Sequence, residues 1–308
     1  MPALICGSLA FDTITTFPGR FAEQILPEQV HILNVSFLVP TLRREWGGCA
    51  GNIAYNLQAL GGKPVLLAAL GVDGGEYLQR IGAWGADTSL IWRDPELHTA
   101  QCHITTDRDN NQITAFHPGA MSHAHKVAVP PSGERAELGK LAVGIVAPNG
   151  REAMWQHAHQ MYEAGIPFVF DPGQQLPQFN GDEHRAILAK ASWLALNDYE
   201  ARMLEERTGE SVAEMSRRPN LRGIVVTLAA EGCELWIGGE RLHVPGVKAA
   251  QVVDPTGCGD AFRAGLLYGI EHGWDLPRAV ALANRIGAIK IASRGPQNHS
   301  LAGVLEGA

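Results

Sequence analysis

The sequence predicts an α/β protein with a mostly parallel sheet, and two patterns carry that prediction. From about residue 140 onward, short apolar runs rich in Val and Ile alternate with helix-length amphipathic segments. Earlier in the chain, two longer segments interrupt this alternation. Strand, helix, strand at this spacing is typical of βαβ units, whose helices cover a parallel sheet. At 308 residues, we expect one large domain over 1–308, with a small β appendage.

The first third of the chain supplies the elements of that appendage. ALICGSLAFDTI predicts a strand that leads out to Asp12, and GGCAGNIAYNLQALGG predicts a glycine-rich entry into a helix. Between them, HILNVSFLV partly alternates like an exposed strand, and TAQCHITTDRDNNQITAFHPGAM predicts two strands joined by a polar turn. We expect about 13–45 and about 98–121 to form a β-sheet lid, which would exclude water from a reaction.

The later strands mark where a ligand would bind. LAVGIVAPN, IPFVFDPG, SWLALN and GIVVTL are the predicted strands, with helical segments between them. Ligands of open parallel sheets bind beyond the carboxyl ends of the strands. That rule selects the residues just after strands, namely Asp171, Asn197, Thr227 and the stretch 254–260.

The net charge and the cysteine content limit the kinds of partner that this protein is expected to bind. The 25 Lys and Arg against 32 Asp and Glu give a formal charge of -7, which provides no basic surface for nucleic acid or for anionic membranes. The amino terminus lacks a signal-peptide pattern, and no apolar run is long enough to span a bilayer. Five scattered cysteines without a CxxC pair favour reduced thiols, so we expect a cytoplasmic protein that binds small molecules. The histidines near 117–125 lack a recognisable metal-ligand spacing.

The stretch DPTGCGDAFRAG at 254–265 poses a specific problem. Its glycines precede a helix start, where free N–H groups favour an anion, yet Asp260 lies in that first turn and would repel one. The alternative is that Asp260 only caps the helix. The chain has no GxxxxGK[ST] motif, and GCG at 257–259 does not continue as a dinucleotide fingerprint.

Two segments resemble the ribokinase-like sugar kinases, also called the pfkB family. GGCAGNIAYNLQALGG is one, and DPTGCGDAFRAGLL is similar to that family's carboxyl-terminal signature, with Cys258 in place of the usual alanine. The resemblance implies a ribokinase-like three-layer αβα fold with a small β-sheet lid, and an ATP- and Mg²⁺-dependent kinase. Within the family, FPGRFAEQILPEQVHILNVSFLV, TAFHPGAMS, DPGQQL and NDYE are similar to bacterial adenosine kinases.

The resemblance assigns the catalytic roles. Asp260 is expected to be the general base that takes the proton of the attacking hydroxyl. The backbone N–H groups of Gly257, Cys258 and Gly259 would form an anion hole for the phosphate.

For the substrate, Asp12 is expected to accept from two ribose hydroxyls and Asn52 to bind the sugar, although a turn aspartate and a helix cap are the respective alternatives. Phe116 is expected to stack on a purine, or else to lie in an apolar lid core. Cys102 stands where related enzymes place a second aromatic, which leaves adenosine, inosine and guanosine open. The further expected substrate contacts are Ser8, Ser36, Gly48, Gln101, Asp171, Gln174 and Gln175.

For the nucleotide, Asn197 and Glu200 resemble the family's NxxE stretch, which would organise Mg²⁺ through water; a plain helix cap is the alternative. The other expected ATP contacts are Thr227, Gly232, Thr256, Gly257, Gly259 and Asn284. Asp254 and Thr256, with the loop 293–300, would offer oxygens to a monovalent cation such as K⁺.

These expectations amount to ATP-dependent phosphorylation of the 5′-hydroxyl of a purine nucleoside. The alternatives are a ribokinase or another sugar kinase, and a nucleoside-binding sensor without catalysis. A homodimer through exposed lid strands is also expected, since open sheet edges invite pairing.

Overall fold

A computed structural model describes residues 2–25, 34–109, 111–135 and 138–306. The strands of its main sheet are β1 Pro2–Cys6, β4 Lys63–Leu70, β5 Asp87–Arg93, β10 Val143–Val146, β11 Phe168–Phe170, β12 Trp193–Asn197, β13 Gly223–Thr227, β14 Gly232–Ile237 and β15 Glu240–Pro245. A smaller sheet contains β2 Ala10–Thr16, β3 Thr41–Gly47, β6 Ala100–Thr106 and β7 Gln112–His117, and β8 Glu134–Arg135 pairs with β9 Gly139–Lys140.

The helices are α1 Phe21–Gln24, α2 Cys49–Ala59, α3 Gly75–Ala83, α4 Arg151–Glu163, α5 Gly181–Leu188, α6 Asp198–Thr208, α7 Val212–Met215, α8 Cys258–Glu271 and α9 Leu276–Ile291. Short 3-10 helices lie at Gly119–Lys126, Gly173–Gln178 and Ala229–Glu231. Within the described ranges, no helix is long and apolar enough to cross a bilayer.

The main sheet is parallel except at one edge. Its order is β15-β14-β13-β12-β11-β10-β1-β4-β5, and only β14 and β15 run antiparallel to their neighbours. Ala3 and Ile5 of β1 belong to one core cluster, which includes residues of α2, α3, α8 and α9. Leu4 and Cys6 belong to the other, with residues of α4, α5 and α6. Because successive side chains of a strand point to opposite faces, apolar residues throughout β1 produce three layers.

The helix starts include two contrasting kinds. α5, α6 and α7 begin with complete capping boxes, in which a side chain accepts the free N–H of the third helical residue. α2 and α8 instead follow Gly48 and Gly257, at φ +83° and +79°, and neither has a side-chain cap. A Cβ on Gly48 would lie 2.5 Å from the Ser8 carbonyl oxygen, so glycine is required there. These two helix starts retain backbone N–H groups that can bind a ligand.

The predicted parallel sheet from residue 140 onward is confirmed. The single strand predicted over ALICGSLAFDTI is wrong, because the chain bends at residues 7–9 and Asp12 lies within β2 of the smaller sheet. In HILNVSFLV, residues 31–33 lie outside the described residues and 34–39 form neither helix nor strand. The polar turn is confirmed, since β6 and β7 pair antiparallel across it.

Candidate active site

Asp260 lies in the first turn of α8 and faces a polar cavity. Asn52 Nδ2 donates to Asp260 Oδ2 at 2.8 Å. Asp260 is the acidic residue of the first turn of α8, where its charge also complements the helix dipole, and its hydrogen bond with Asn52 gives it a contact beyond the helix start. Burial, with the charge of Asp171 added, raises the pKa of Asp260 to about 6, against the opposing effects of Asn52 and Arg263. A carboxylate with that pKa accepts a proton readily near neutral pH.

The backbone around Asp260 provides anion donors, with one exception. The N–H groups of Gly257 and Gly259 have no acceptor among the described residues. The Cys258 N–H, expected to be a third donor, instead donates to the Pro255 carbonyl oxygen at 3.1 Å. Burial raises the pKa of the Cys258 thiol to about 11, which keeps it protonated. The chemistry available at this helix start therefore comes from backbone amides and the Asp260 carboxylate.

A buried hydrogen-bond chain fixes the orientation of Asn52. Gln297 Nε2 donates to Asn52 Oδ1 at 3.0 Å and to Tyr77 Oη at 2.7 Å. Tyr77 Oη in turn donates to the Gly47 carbonyl oxygen at 2.7 Å. Asn52 is the fourth residue of α2, whose N-cap is Gly48, so the cap alternative for Asn52 is wrong. Sequence reasoning missed Gln297 and Tyr77, because their partners are remote in sequence.

The smaller sheet carries a row of side chains on one face. Its strand order is β3-β2-β6-β7, and the register aligns Glu45, Asp12, Cys102 and Phe116. Residues aligned across neighbouring strands share a face. Burial raises the pKa of Asp12 to about 6, and the charge of Asp260 adds to the effect. The Asp12 carboxylate has no hydrogen-bond partner among the described residues, and Phe116 is 48% exposed.

Ser8 and Gly48 shape the entry into α2. Ser8 is buried, and its Oγ accepts from the Cys49 N–H at 3.1 Å. This contact and the backbone of Gly48 connect the end of β1 to the start of α2. Both residues border the region between Asp12 and Asp260 through these connections.

For two of the expected substrate contacts, Gln101 and Ser36, no hydrogen bond to the residues of this region is present among the described residues. Gln101 precedes Cys102 on β6 and therefore points to the opposite face of the sheet, where its amide donates to Asp73 Oδ2 at 3.2 Å. Ser36 is exposed in the irregular segment that leads into β3. For Gln101, its position next to Cys102 in the sequence did not show which face of the sheet its side chain would occupy.

A cavity of about 430 Å³ lies beyond the carboxyl ends of β11, β12 and β13, beside the start of α8. Asp171 in its wall is not free, because Arg263 of α8 donates to both its carboxylate oxygens at 3.1 and 3.0 Å. Gln174 lies in the wall, whereas Gln175 does not. The lining residues are Cys49, Pro148, Asp171, Gly173, Gln174, Asn197, Asp198, Tyr199, Glu200, Thr227, Ala229, Gly259, Asp260 and Arg263.

Asn197 and Glu200 lie on the same wall and form the capping box of α6. Glu200 Oε2 accepts from the Asn197 N–H at 2.8 Å, so the helix-cap interpretation is confirmed as one role. Glu200 Oε1 has no hydrogen-bond donor among the described residues, and burial raises the pKa of this carboxyl. A carboxylate oxygen left over on a polar wall fits a hydrated Mg²⁺, which prefers oxygen ligands and keeps several waters.

The other expected nucleotide residues lie near the antiparallel edge. Thr227, at the end of β13, lines the cavity. Gly232 adopts φ +98° between the turn and β14, where a Cβ would lie 2.2 Å from the Val244 carbonyl oxygen. Asn284 Nδ2 donates to the Pro245 carbonyl oxygen at 3.1 Å, and the Thr256 N–H donates to Asp254 Oδ1 at 2.9 Å.

The oxygens expected to hold a monovalent cation already have a partner. Lys290 Nζ donates to the Asp254 carbonyl oxygen at 2.7 Å and to the Ser293 carbonyl oxygen at 3.2 Å. Both Asp254 carboxylate oxygens accept backbone N–H groups. The Lys290 ammonium therefore already supplies positive charge to two of the oxygens expected for a monovalent cation. The described residues contain no group of three or more His, Cys, Asp or Glu side chains that could hold a metal ion.

Comparison with known proteins shows the family of the chain that carries this site. Residues 20–302 match the model of the pfkB family carbohydrate kinases, which is most of the chain. The chain belongs to the pfkB carbohydrate kinase family. It is accordingly a kinase with the ribokinase-like fold, as the two sequence segments predicted, and it uses ATP.

Three solved structures of this family show how far the similarity extends. The chain is 47% identical to the nucleoside kinase of Burkholderia thailandensis in complex with inosine, over 97% of this chain and 93% of that one, with a TM-score of 0.85. The same enzyme with ADP-inosine gives 49% identity over 97% and 91%, with a TM-score of 0.82. The nucleoside kinase of Methanocaldococcus jannaschii is 26% identical over 99% and 97%, with a TM-score of 0.87.

Proposed function

We propose that this kinase transfers the γ-phosphoryl group of ATP to the 5′-hydroxyl of a purine nucleoside. The observation that carries the proposal is the approach of two half-buried carboxylates, Asp12 and Asp260, which lie close enough for the charge of Asp260 to raise the pKa of Asp12. One carboxylate belongs to the lid face and the other to an anion-binding helix start. The inosine and ADP-inosine complexes of the similar enzyme support the same substrate class.

Asp260 is the proposed general base. It takes the proton of the 5′-hydroxyl as that oxygen attacks phosphorus, and the hydrogen bond from Asn52 holds its carboxylate in place. The N–H groups of Gly257 and Gly259 stabilise the charge on the transferring phosphoryl group. Arg263 donates from Nε and Nη2 to the two carboxylate oxygens of Asp171, and its guanidinium adds fixed positive charge to the cavity wall.

Asp12 is proposed to accept from the two ribose hydroxyls, since a carboxylate without an internal partner retains both oxygens for a ligand. Phe116 shares its face of the sheet and is proposed to stack on the base. Cys102 lies between them in the register, and its small side chain leaves room that a larger aromatic would fill. Ser8, Gly48, Asn52 and Gln174 are proposed as further contacts of the nucleoside side.

The nucleotide is proposed to occupy the cavity, with its phosphates at Gly257 and Gly259. Asn197 and Glu200 would hold Mg²⁺ through water, and the ion would supply charge neutralisation to the phosphates. Thr227, Gly232, Thr256 and Asn284 are proposed to surround the rest of ATP.

We also propose a homodimer through the edge strands of the lid, on which Leu42 and Ile113 are 69% and 42% exposed. The five cysteines are all free, which supports a reducing, cytoplasmic location. A role in purine salvage would follow from the proposed substrate.

The proposed function is tested by incubating the protein with ATP, Mg²⁺ and a panel of nucleosides and free sugars while ADP release is measured. We expect turnover with inosine, adenosine or guanosine and little with ribose. Turnover restricted to free sugars would replace the nucleoside with a sugar substrate. Tight nucleoside binding by calorimetry without ADP release would indicate a sensor.

A further inference from the structure

Lys290 occupies an unusual position for a lysine. It lies in the last turn of α9, and its side chain is 0% exposed. Lysine is almost never fully buried unless its charge is paired. Burial lowers the pKa of Lys290, and the nearby charge of Asp254 opposes that shift. The charge of Asp254 therefore helps to keep the buried ammonium group protonated.

The ammonium joins two loops that meet beside α8. One of its acceptors, the Asp254 carbonyl oxygen, precedes the phosphate-facing turn, and the other, the Ser293 carbonyl oxygen, follows α9. The same two segments are also joined because the N–H groups of Val253 and Asp254 donate to the Ile291 carbonyl oxygen. Displacement of the ammonium would leave the buried Asp254 carbonyl group and the half-buried Ser293 carbonyl group without this donor, which is costly.

Positive charge from Lys290 also reaches the start of α8. Its charge lowers the pKa of Cys258, the first residue of that helix, against the dominant effect of burial. Arg43 of β3 adds a second positive charge, with Nη2 at 3.5 Å from Asp254 Oδ2. An ammonium group and K⁺ carry the same charge and are similar in size. Carbonyl and carboxylate oxygens around either cation would hold the turn in the same way.

We infer that Lys290 is a built-in cation that positions the 254–257 turn for phosphoryl transfer and makes the kinase independent of K⁺. Lys290 is a positioning residue, because it acts through the backbone of that turn. The inference rests on the proposed function only in its activity measurement, since thermal melting reports on the cation site directly.

The first experiment compares the unmodified protein in KCl and in tetramethylammonium chloride at equal ionic strength. Tetramethylammonium is too bulky for such a site. We expect initial rates within about twofold of each other and the same melting temperature. Severalfold activation by K⁺, or a rise in melting temperature specific to K⁺, would overturn the inference. A complete lack of kinase activity would remove the proposed function and leave the melting comparison in force.

The second experiment uses Lys290→Ala, which opens a space the size of the ammonium, and Lys290→Met, which fills it. In tetramethylammonium we expect both to lose about tenfold or more in kcat, because a displaced donor stabilises the transition state poorly. K⁺ or methylammonium should restore part of the rate and raise the melting temperature of Lys290→Ala only. Lys63→Ala is the matched control, since Lys63 is an exposed lysine at the first position of β4.

A folded Lys290→Ala protein that keeps its full rate contradicts the inference, as does one that loses rate without any response to K⁺ or methylammonium. Should Lys290→Ala fail to fold, a folded Lys290→Met protein that keeps its full rate contradicts the inference, and so does activation of the unmodified protein by K⁺.

Discussion

The start of α8 and the lid face bring two carboxylates to one gap in different ways. Asp260 is held by Asn52, which a chain through Gln297 and Tyr77 fixes in turn. Asp12 has no such partner among the described residues, and Phe116, two strands away on the same face, is half exposed. The start of α8 is therefore organised before any ligand binds, whereas the face of the smaller sheet presents unpaired groups. The groups held in place before binding lie where charge is proposed to develop in the reaction, and the unpaired hydrogen-bonding groups lie where the substrate is proposed to bind.

The largest expected effect comes from removing the base. Asp260→Asn should lower kcat by about 10³-fold while nucleoside binding is retained. The pKa of Asp260 in the folded protein, about 6, is above the ordinary value of 3.8. Ionisation of Asp260 therefore lowers the stability of the folded protein as the pH rises from about 4 to about 6. The difference between about 6 and 3.8 corresponds to about 3 kcal/mol, so removal of the charge should raise the free energy of unfolding at pH 7 by up to about 3 kcal/mol. ADP release, calorimetry and urea unfolding measure the three quantities.

Asp182→Asn is the control for that variant, because the Asp182 carboxylate is 90% exposed at the start of α5. Full turnover by Asp260→Asn would remove the base assignment and with it the contrast between the two regions.

A smaller loss is expected on the lid face. Asp12→Ala should lower kcat/KM for the nucleoside by about 10²-fold, since it removes hydrogen bonds from a charged group to the substrate. Its KM for ATP should change little. Thr13→Ala is the matched control, because the neighbouring residue of β2 points to the opposite face. An equal loss in both variants would mean that the sheet, and not Asp12, supports activity.

The hydrogen-bond chain should set the pH profile. With a pKa of about 6 for Asp260, kcat/KM should fall as pH falls below 6, because the protonated base cannot accept a proton. Gln297→Met frees Asn52 Oδ1 and weakens the bond that holds Asp260 ionised. The acidic limb should move up by about one pH unit, with roughly tenfold lower activity near pH 6.

Gln160→Met is a suitable comparison, since Gln160 Oε1 accepts the Val129 N–H far from the site. That variant should lose stability and keep its pH profile. An unshifted profile in Gln297→Met would show that the chain only supports folding.

The smallest effect is expected from the exposed aromatic. Phe116→Ala should raise the nucleoside KM about threefold and leave kcat nearly unchanged, because stacking on a half-exposed ring is weak. Ile113→Ala, on the same strand with its side chain on the other face, should change neither constant. An unchanged KM for the nucleoside in Phe116→Ala would contradict contact between this ring and the base.

By itself the sequence determined the alternation of strands and helices, the glycine-rich helix starts and Asp260 in the first turn of α8. These are local properties, set by hydrophobic period and by the conformational needs of glycine. It also placed Asp12 near the site, although β2 belongs to a different sheet than predicted.

Only the tertiary structure decided which distant groups meet. Gln297 reaches Asn52, Arg263 takes both oxygens of Asp171, and Lys290 takes the carbonyl groups expected for K⁺. Gln101 and Phe116 lie on opposite faces of the same small sheet. Side-chain direction alternates at every residue of a strand, and buried polar groups take whatever donor the packed chain brings within reach. Neither property follows from residue type and spacing alone.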